Sequence, residues 1–392
     1  MTSQLIAARL QGVESSPTLA LAAKAKALIK AGKNVLDFTA GEPDFPTPDP
    51  VKQAAIQAIH ANRTTYTPVA GIPELRAAIA EQVSKRLGLS YESSQVLVTC
   101  GAKHALYNAL QAVCQEGDEV IVLSPYWVSY PPLVQLAGAK AVLIETHEHD
   151  RFQPDVQAVE AAMTERTKAL VLNSPSNPTG MLIEESVLAK LARLAREREL
   201  VVISDEIYDQ IVFPPNQPRS IVQVDPTLAD HALIINGVSK TYSMTGWRIG
   251  YAVGPQALIE PMTALQSHAT SNPTSISQHA ALEAITGDQR PVSQMIKEFQ
   301  RRRDRLVNGL NQLPGLSCLI PQGAFYTWCN ISRLGQPAST MAARLLEEAL
   351  LAVVPGEGFG SSEHVRLSFA TSLETIEEAL GRFDRWLKSR GR

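Results

Sequence analysis

Six short β-rich runs, Val96 to Thr99, Glu119 to Leu123, Ala141 to Glu145, Ala169 to Asn173, Leu200 to Ser204 and Leu233 to Asn236, alternate with longer stretches of helical pattern. A strand that rejoins its sheet in parallel needs a crossover of about a dozen residues or more, and a helix is the usual crossover. The alternation therefore predicts an α/β fold with a doubly wound, mainly parallel sheet. The runs look buried on both faces, as parallel strands beneath helices are. Val187, Leu188, Leu191 and Leu194 recur at helical spacing and are expected to cover one face.

One such sheet does not use up 392 residues, because single cores stop growing near ~250–300 residues. After Pro261 the pattern changes. A charged helix is expected around Glu298 to Leu310, short strands at Ala324 to Cys329 and His364 to Phe369, and a last helix from about Leu373. That reads as a smaller α+β unit. The Pro-rich stretch Pro43 to Pro50 is where an N-terminal arm would enter the large domain. The expected division is 1–45 for the arm and part of the small domain, 46–289 for the large domain and 290–392 for the small C-terminal domain.

Composition narrows the partners. With 45% hydrophobic residues, 19% charged residues and a net charge of -3, nothing draws the chain electrostatically to nucleic acid or to an anionic membrane. Small molecules are the expected partners. No apolar run reaches the ~18 residues that span a bilayer, and Met1 to Leu10 does not read as a signal peptide. Cys100, Cys114, Cys318 and Cys329 form no C-x-x-C pair, so a reduced, cytoplasmic protein without a metal site is expected.

The chemistry centres on Lys240, which follows the apolar run Leu233 to Gly237 and precedes a Gly-rich segment. Taken alone it reads as a solvated loop lysine. Yet lysine is rarely buried without a partner or a chemical use. An amine that loses its proton near neutral pH can attack a carbonyl, and desolvation beside the cationic Arg248 would lower its pKa. Asp205 ends the run Leu200 to Ser204, at the carboxyl edge of the sheet where open α/β folds bind ligands. An aspartate there is commonly a helix cap. Gly101-Ala102-Lys103 lies between a strand and the helical run from His104, so its amides would face an anion.

Several longer segments agree with one family. Gly237-Val238-Ser239-Lys240, followed by Ser243, Met244, Gly246, Arg248 and Gly250, resembles the cofactor-attachment signature of the class I, fold-type I aminotransferases, which depend on pyridoxal 5′-phosphate (PLP). Asn173-Ser174-Pro175-Ser176-Asn177-Pro178-Thr179-Gly180 matches the family's N-x-P-x-N-P-T-G motif, and Asp205-Glu206-Ile207-Tyr208 its D-E-x-Y segment. Gly41-Glu42-Pro43-Asp44-Phe45 and Val365-Arg366-Leu367-Ser368 resemble two further family segments. The resemblance runs from about residue 14 to the C-terminal helix. Pro125-Tyr126-Trp127-Val128-Ser129-Tyr130 and Met244 to Gly250 place it nearest the bacterial aspartate aminotransferases.

The resemblance implies roles. Lys240 would hold PLP as a Schiff base and carry the proton between substrate and cofactor. Asp205 would keep the pyridine nitrogen protonated, Tyr208 and Asn177 would bond the phenolic oxygen, and Trp127 would stack on the ring. Gly101, Ala102, Lys103, Ser239 and Arg248 would surround the phosphate, joined by Tyr66 of a neighbouring copy in a homodimer. Gly41, Asn177, Trp127 and Arg366 would bind the substrate, with Lys103 taking its distal carboxylate. The implied reaction is ping-pong transamination between L-aspartate and 2-oxoglutarate, giving oxaloacetate and L-glutamate. Alternatives are other acceptors, prephenate or aromatic 2-oxo acids, and a PLP β-lyase on the same fold. Glu14, standing where prephenate users carry a lysine, argues against prephenate. A PLP-sensing transcription regulator would need a DNA-binding module, for which the match leaves no room.

Overall fold

The computed structural model describes residues 7–13 and 17–389. Seven strands form the main sheet, in the order Val96–Thr99, Gly250–Val253, Ala232–Gly237, Val201–Asp205, Thr167–Asn173, Glu119–Ser124 and Lys140–Glu145. Six of these are the runs expected from sequence. The seventh, Gly250–Val253, runs antiparallel to both its neighbours. It is only four residues long and starts on the last glycine of the segment that resembles the attachment signature, so it is too short to show a strand pattern of its own.

Helices cover both faces. In Glu185–Glu197, Leu188, Leu191, Ala192, Leu194 and Ala195 are buried, three and four residues apart as an amphipathic helix requires. Ala102–Val113 packs on the opposite face through Ala105, Leu106, Ala109 and Leu110. Not every strand is buried on both sides, contrary to expectation. Lys140–Glu145, at one edge of the sheet, leaves Leu143 47% exposed, whereas the opposite edge strand, Val96–Thr99, is buried beneath the helices Pro73–Leu87, Ala102–Val113 and Gln256–Ala269.

A four-stranded sheet, Val354–Pro355, His364–Ser368, Tyr326–Asn330 and Ser317–Cys318, is antiparallel throughout. The helices Arg290–Asn311 and Leu373–Lys388 contribute Phe299, Leu306, Leu310, Phe383 and Trp386 to its core. The N-terminal segment joins this second sheet region: Leu36–Asp37 pairs in parallel with Leu351–Ala352. Beyond it, Arg302 holds Asp44 through both carboxylate oxygens, at 2.8 and 2.9 Å. Phe45 meets Phe299 edge-on at 5.4 Å. These contacts fix the Gly41–Phe45 turn over the carboxyl edge of the large sheet.

Candidate active site

At that edge a cavity of about 410 Å³ is lined by residues from both sheet regions and from the N-terminal segment. Asp205 is the last residue of its strand and is 4% exposed. Its carboxylate accepts a hydrogen bond from the Tyr130 hydroxyl at 2.7 Å and one from the Ile207 amide at 3.2 Å. Burial pushes its pKa up to about 6, against the pull of those two bonds. Glu206 adds to the rise from the far side of the strand, where Arg86 and the hydroxyls of Ser204 and Ser220 hold it.

Lys240 follows the neighbouring strand Ala232–Gly237, and its amine donates to the Gly41 carbonyl at 2.5 Å. Its pKa falls to about 8. Burial is the largest cause, with Glu42 opposing and Arg366 and then Arg248 adding to the fall. The lowering expected from desolvation beside Arg248 is present, with Arg366 a larger charge contribution than Arg248. The structure gives burial the larger part, because the Gly41–Phe45 turn closes over the amine.

Arg366 sits mid-strand in His364–Ser368, 4% exposed. It donates to Asn177 Oδ1 at 3.0 Å and to the Thr39 carbonyl at 3.1 Å. Its guanidinium lies 4.3 Å from the Tyr326 ring centroid and 5.1 Å from that of Phe359. Its Nε has no partner among the described residues. A fully buried guanidinium without a carboxylate is costly to maintain, and a bound anion is what offsets such a cost. Asn177 is fixed in turn by its own amide, which donates to Asn173 Oδ1 at 2.8 Å. The Tyr208 and Tyr326 hydroxyls share a hydrogen bond of 3.0 Å.

The remaining candidates gather at the helix Ala102–Val113. Gly101 precedes its first turn at a φ of 88°, and a Cβ there would lie 2.3 Å from an Arg248 nitrogen, so only glycine lets the loop and the guanidinium share this space. At Gly250 a Cβ would fall 2.2 Å from the Ala102 amide. Among the described residues Arg248 donates to carbonyls alone, those of Thr245 and Cys100. The first-turn amides of Ala102 and Lys103, a guanidinium held by carbonyls and not by a carboxylate, and the Lys103 amine together make an anion cradle at a helix N-terminus. Lys103 has its amine 4.8 Å from the Trp127 ring centroid, and burial followed by Arg248 lowers its pKa. Ser239 also lines the cavity.

Of the residues expected from sequence, Tyr66 alone stands apart, 90% exposed on the surface of the chain. Glu14 lies outside the described residues. Three residues were missed: Tyr130, which holds Asp205 and meets Trp127 edge-on at 5.4 Å; Tyr326, which links Tyr208 to Arg366; and Thr39, whose backbone carbonyl anchors Arg366. Tyr130 lay within a quoted motif, but only the fold shows that its hydroxyl reaches a strand end 75 residues further along.

A partly deprotonated lysine, a buried acid and two anion-ready sites in one cavity suit an enzyme that captures a carbonyl group while gripping a phosphate and a carboxylate. The chain belongs to the aminotransferase class I and II family, which matches residues 33–383. The aspartate aminotransferase of Geobacillus stearothermophilus is 45% identical over 98% of this chain and 99% of its own length. The aspartate/prephenate aminotransferase of Thermus thermophilus is 47% identical over 97% and 98%. Among solved structures, an aspartate aminotransferase from Thermus thermophilus with maleate superposes with a TM-score of 0.93 at 46% identity, covering 97% of this chain and 99% of that one. The Rhizobium meliloti enzyme gives 0.94 at 42% identity, covering 98% of each. The chain thus has the PLP-transferase fold, and family membership implies dependence on PLP. Among the described residues no helix is long and apolar enough to cross a membrane.

Proposed function

We propose that this chain transfers the amino group of L-aspartate to 2-oxoglutarate, with PLP held at Lys240. The observation that carries the reading is the placement of the Lys240 amine between the buried carboxylate of Asp205 and the buried, anion-ready guanidinium of Arg366, in one cavity. The residues fit the cofactor: the cradle of Gly101, Ala102, Lys103, Ser239 and Arg248 suits a phosphate, and Asp205 suits a ring nitrogen that must stay protonated. When bound, PLP supplies an aldehyde carbon and a ring that takes up electron density from the substrate Cα.

Arg366 and Asn177 grip the substrate α-carboxylate, with the Gly41 backbone closing over it. This fixes the direction of the Cα–H bond and so contributes through orientation. Lys240, with a pKa of about 8, takes that proton as a general base and returns it as a general acid, a role suited to a group titrating near the working pH. Tyr208 and Asn177 would hold the cofactor by its phenolic oxygen, and Trp127 would lie against its ring. Lys103 pairs with the distal carboxylate of a dicarboxylic substrate. The two half-reactions share one site, so the kinetics are ping-pong.

The same reading divides the chain into an arm at 1–45, a large domain at 46–289 and a small domain at 290–392, supported by the pairing of Leu36–Asp37 with Leu351–Ala352. It also makes the protein a cytoplasmic homodimer, in which the exposed Tyr66 reaches the partner's phosphate. Use of prephenate is a second reading, favoured by the name of the Thermus relative. The test mixes purified, PLP-loaded protein with aspartate, glutamate, phenylalanine and alanine in turn, and follows cofactor absorbance by stopped flow. Aspartate and glutamate should react fastest, and oxaloacetate should appear from aspartate. Faster reaction with phenylalanine, or pyruvate and ammonia as products, would overturn the assignment.

A further inference from the structure

We infer that Cys318 and Cys329 form a dithiol that hydrogen peroxide converts into a cross-strand disulfide. The two residues stand directly opposite one another in the antiparallel pair Ser317–Cys318 and Tyr326–Asn330, so their side chains share one face of the sheet. The Cys318 backbone settles which kind of pair this is. Its N–H donates to Asn311 Oδ1 at 2.7 Å and its carbonyl accepts from Asn311 Nδ2 at 3.1 Å. Both groups therefore point away from Cys329, which makes this a non-hydrogen-bonded pair, the narrow kind, with Cα atoms about 4.5 Å apart. That separation lies within the range of about 4.4–6.8 Å that a disulfide spans.

Both thiols are free and buried, Cys318 at 8% exposure and Cys329 at 0%. The neighbouring Cys318 thiol is the first cause, ahead of burial, that holds the Cys329 thiol protonated. The other two cysteines, Cys100 and Cys114, flank the twelve-residue helix Ala102–Val113, whose length of about 18 Å keeps them apart.

Cys318, the more exposed, attacks one peroxide oxygen. The O–O bond breaks, and a sulfenic acid and one water result. The Cys329 sulfur then attacks the Cys318 sulfur, the S–O bond breaks and the second water leaves. Two electrons pass from the sulfurs to the peroxide, and the two thiol protons end in the two waters. The bond closes a ring around residues 319–328. Within that ring Gln322 and Gly323 donate to the Gly180 carbonyl, at 2.9 and 2.8 Å, and Tyr326 supports Arg366. Oxidation thus ties a two-residue edge strand to the strand that carries part of the active site.

The experiment treats the PLP-loaded protein with hydrogen peroxide, alkylates the remaining thiols and maps peptides by mass spectrometry. The expected product is a Cys318–Cys329 linked peptide, two hydrogens lighter than its parts and restored by dithiothreitol. The oxidised protein should melt several degrees higher, a gain that Cys318→Ser and Cys329→Ala each abolish. Sulfinic acid at either cysteine without the link, thiols that stay alkylatable, or a link through Cys100 or Cys114 would each overturn the inference. The mapping uses the unaltered chain, so it decides the matter even if a variant folds poorly.

Discussion

The two ends of the active-site cavity solve opposite electrostatic problems. At the large-sheet end, burial moves Asp205 up to about 6 and Lys240 down to about 8, so two groups with ordinary values far from neutrality flank it closely. At the small-sheet end Arg366 keeps a charge that no accessible pH removes, held by an amide oxygen, a carbonyl and two aromatic faces. One end is built to move protons and the other to hold a fixed charge. Mutations at the first should therefore act mainly on kcat, and mutations at the second on KM as well.

The largest effect should follow Lys240→Ala. Losing the general acid–base group alone is worth about 10²–10⁴ in rate, and loss of the covalent anchor adds to it. Turnover should fall below detection while circular dichroism stays unchanged, and borohydride should fix no cofactor to the variant. Cofactor still fixed by borohydride would remove Lys240 from its role.

Arg366→Leu should come next. A charge-assisted hydrogen bond is worth about 1.5–3 kcal/mol, so losing a two-bond grip on a carboxylate should cost about a hundredfold to ten-thousandfold in kcat/KM, with a clear rise in KM. The loss should be similar for aspartate and alanine, since both carry an α-carboxylate. An unchanged KM would break the contrast between the two ends.

Lys103→Ser sharpens it further. One charge-assisted contact predicts a loss of about tenfold to a hundredfold in kcat/KM for aspartate, and little change for phenylalanine. An equal loss for both substrates would assign Lys103 to the cofactor phosphate alone.

The smallest effect is a displacement on the pH axis. A lysine with a lowered pKa is neutral above its folded value, so acylation of Lys240 in cofactor-free protein should be half-maximal near pH 8 instead of near the usual 10.5. Asp205 stabilises the ammonium form, so Asp205→Asn should move that midpoint further down. A midpoint above pH 10, read by mass spectrometry of the labelled peptide, would show that the amine is not buried as described.

Much of this was legible in the chain. Six of the seven main strands could be read because continuous apolar runs between helical stretches have few other uses, and Lys240, Asp205, Asn177, Arg366 and Arg248 because their segments match one family's motifs. The Gly250–Val253 strand was not, since four residues that begin on the last glycine of a motif are too few to carry a periodicity of their own. Tyr130 and Tyr326 were missed for a different reason. Each acts through one hydrogen bond or ring contact to a distant element, and no local pattern records such a contact.

The sequence by itself determined the alternation of strand and helix, and which side chains could carry the chemistry, because periodicity and motif are local properties. Only the tertiary structure decided how far each group titrates from its ordinary value, which depends on what is folded over it. The Gly41–Phe45 turn that covers Lys240 is held there by Arg302, 258 residues beyond Asp44. The same holds for the facing thiols of Cys318 and Cys329: their spacing along the chain says nothing, and the antiparallel register places them side by side.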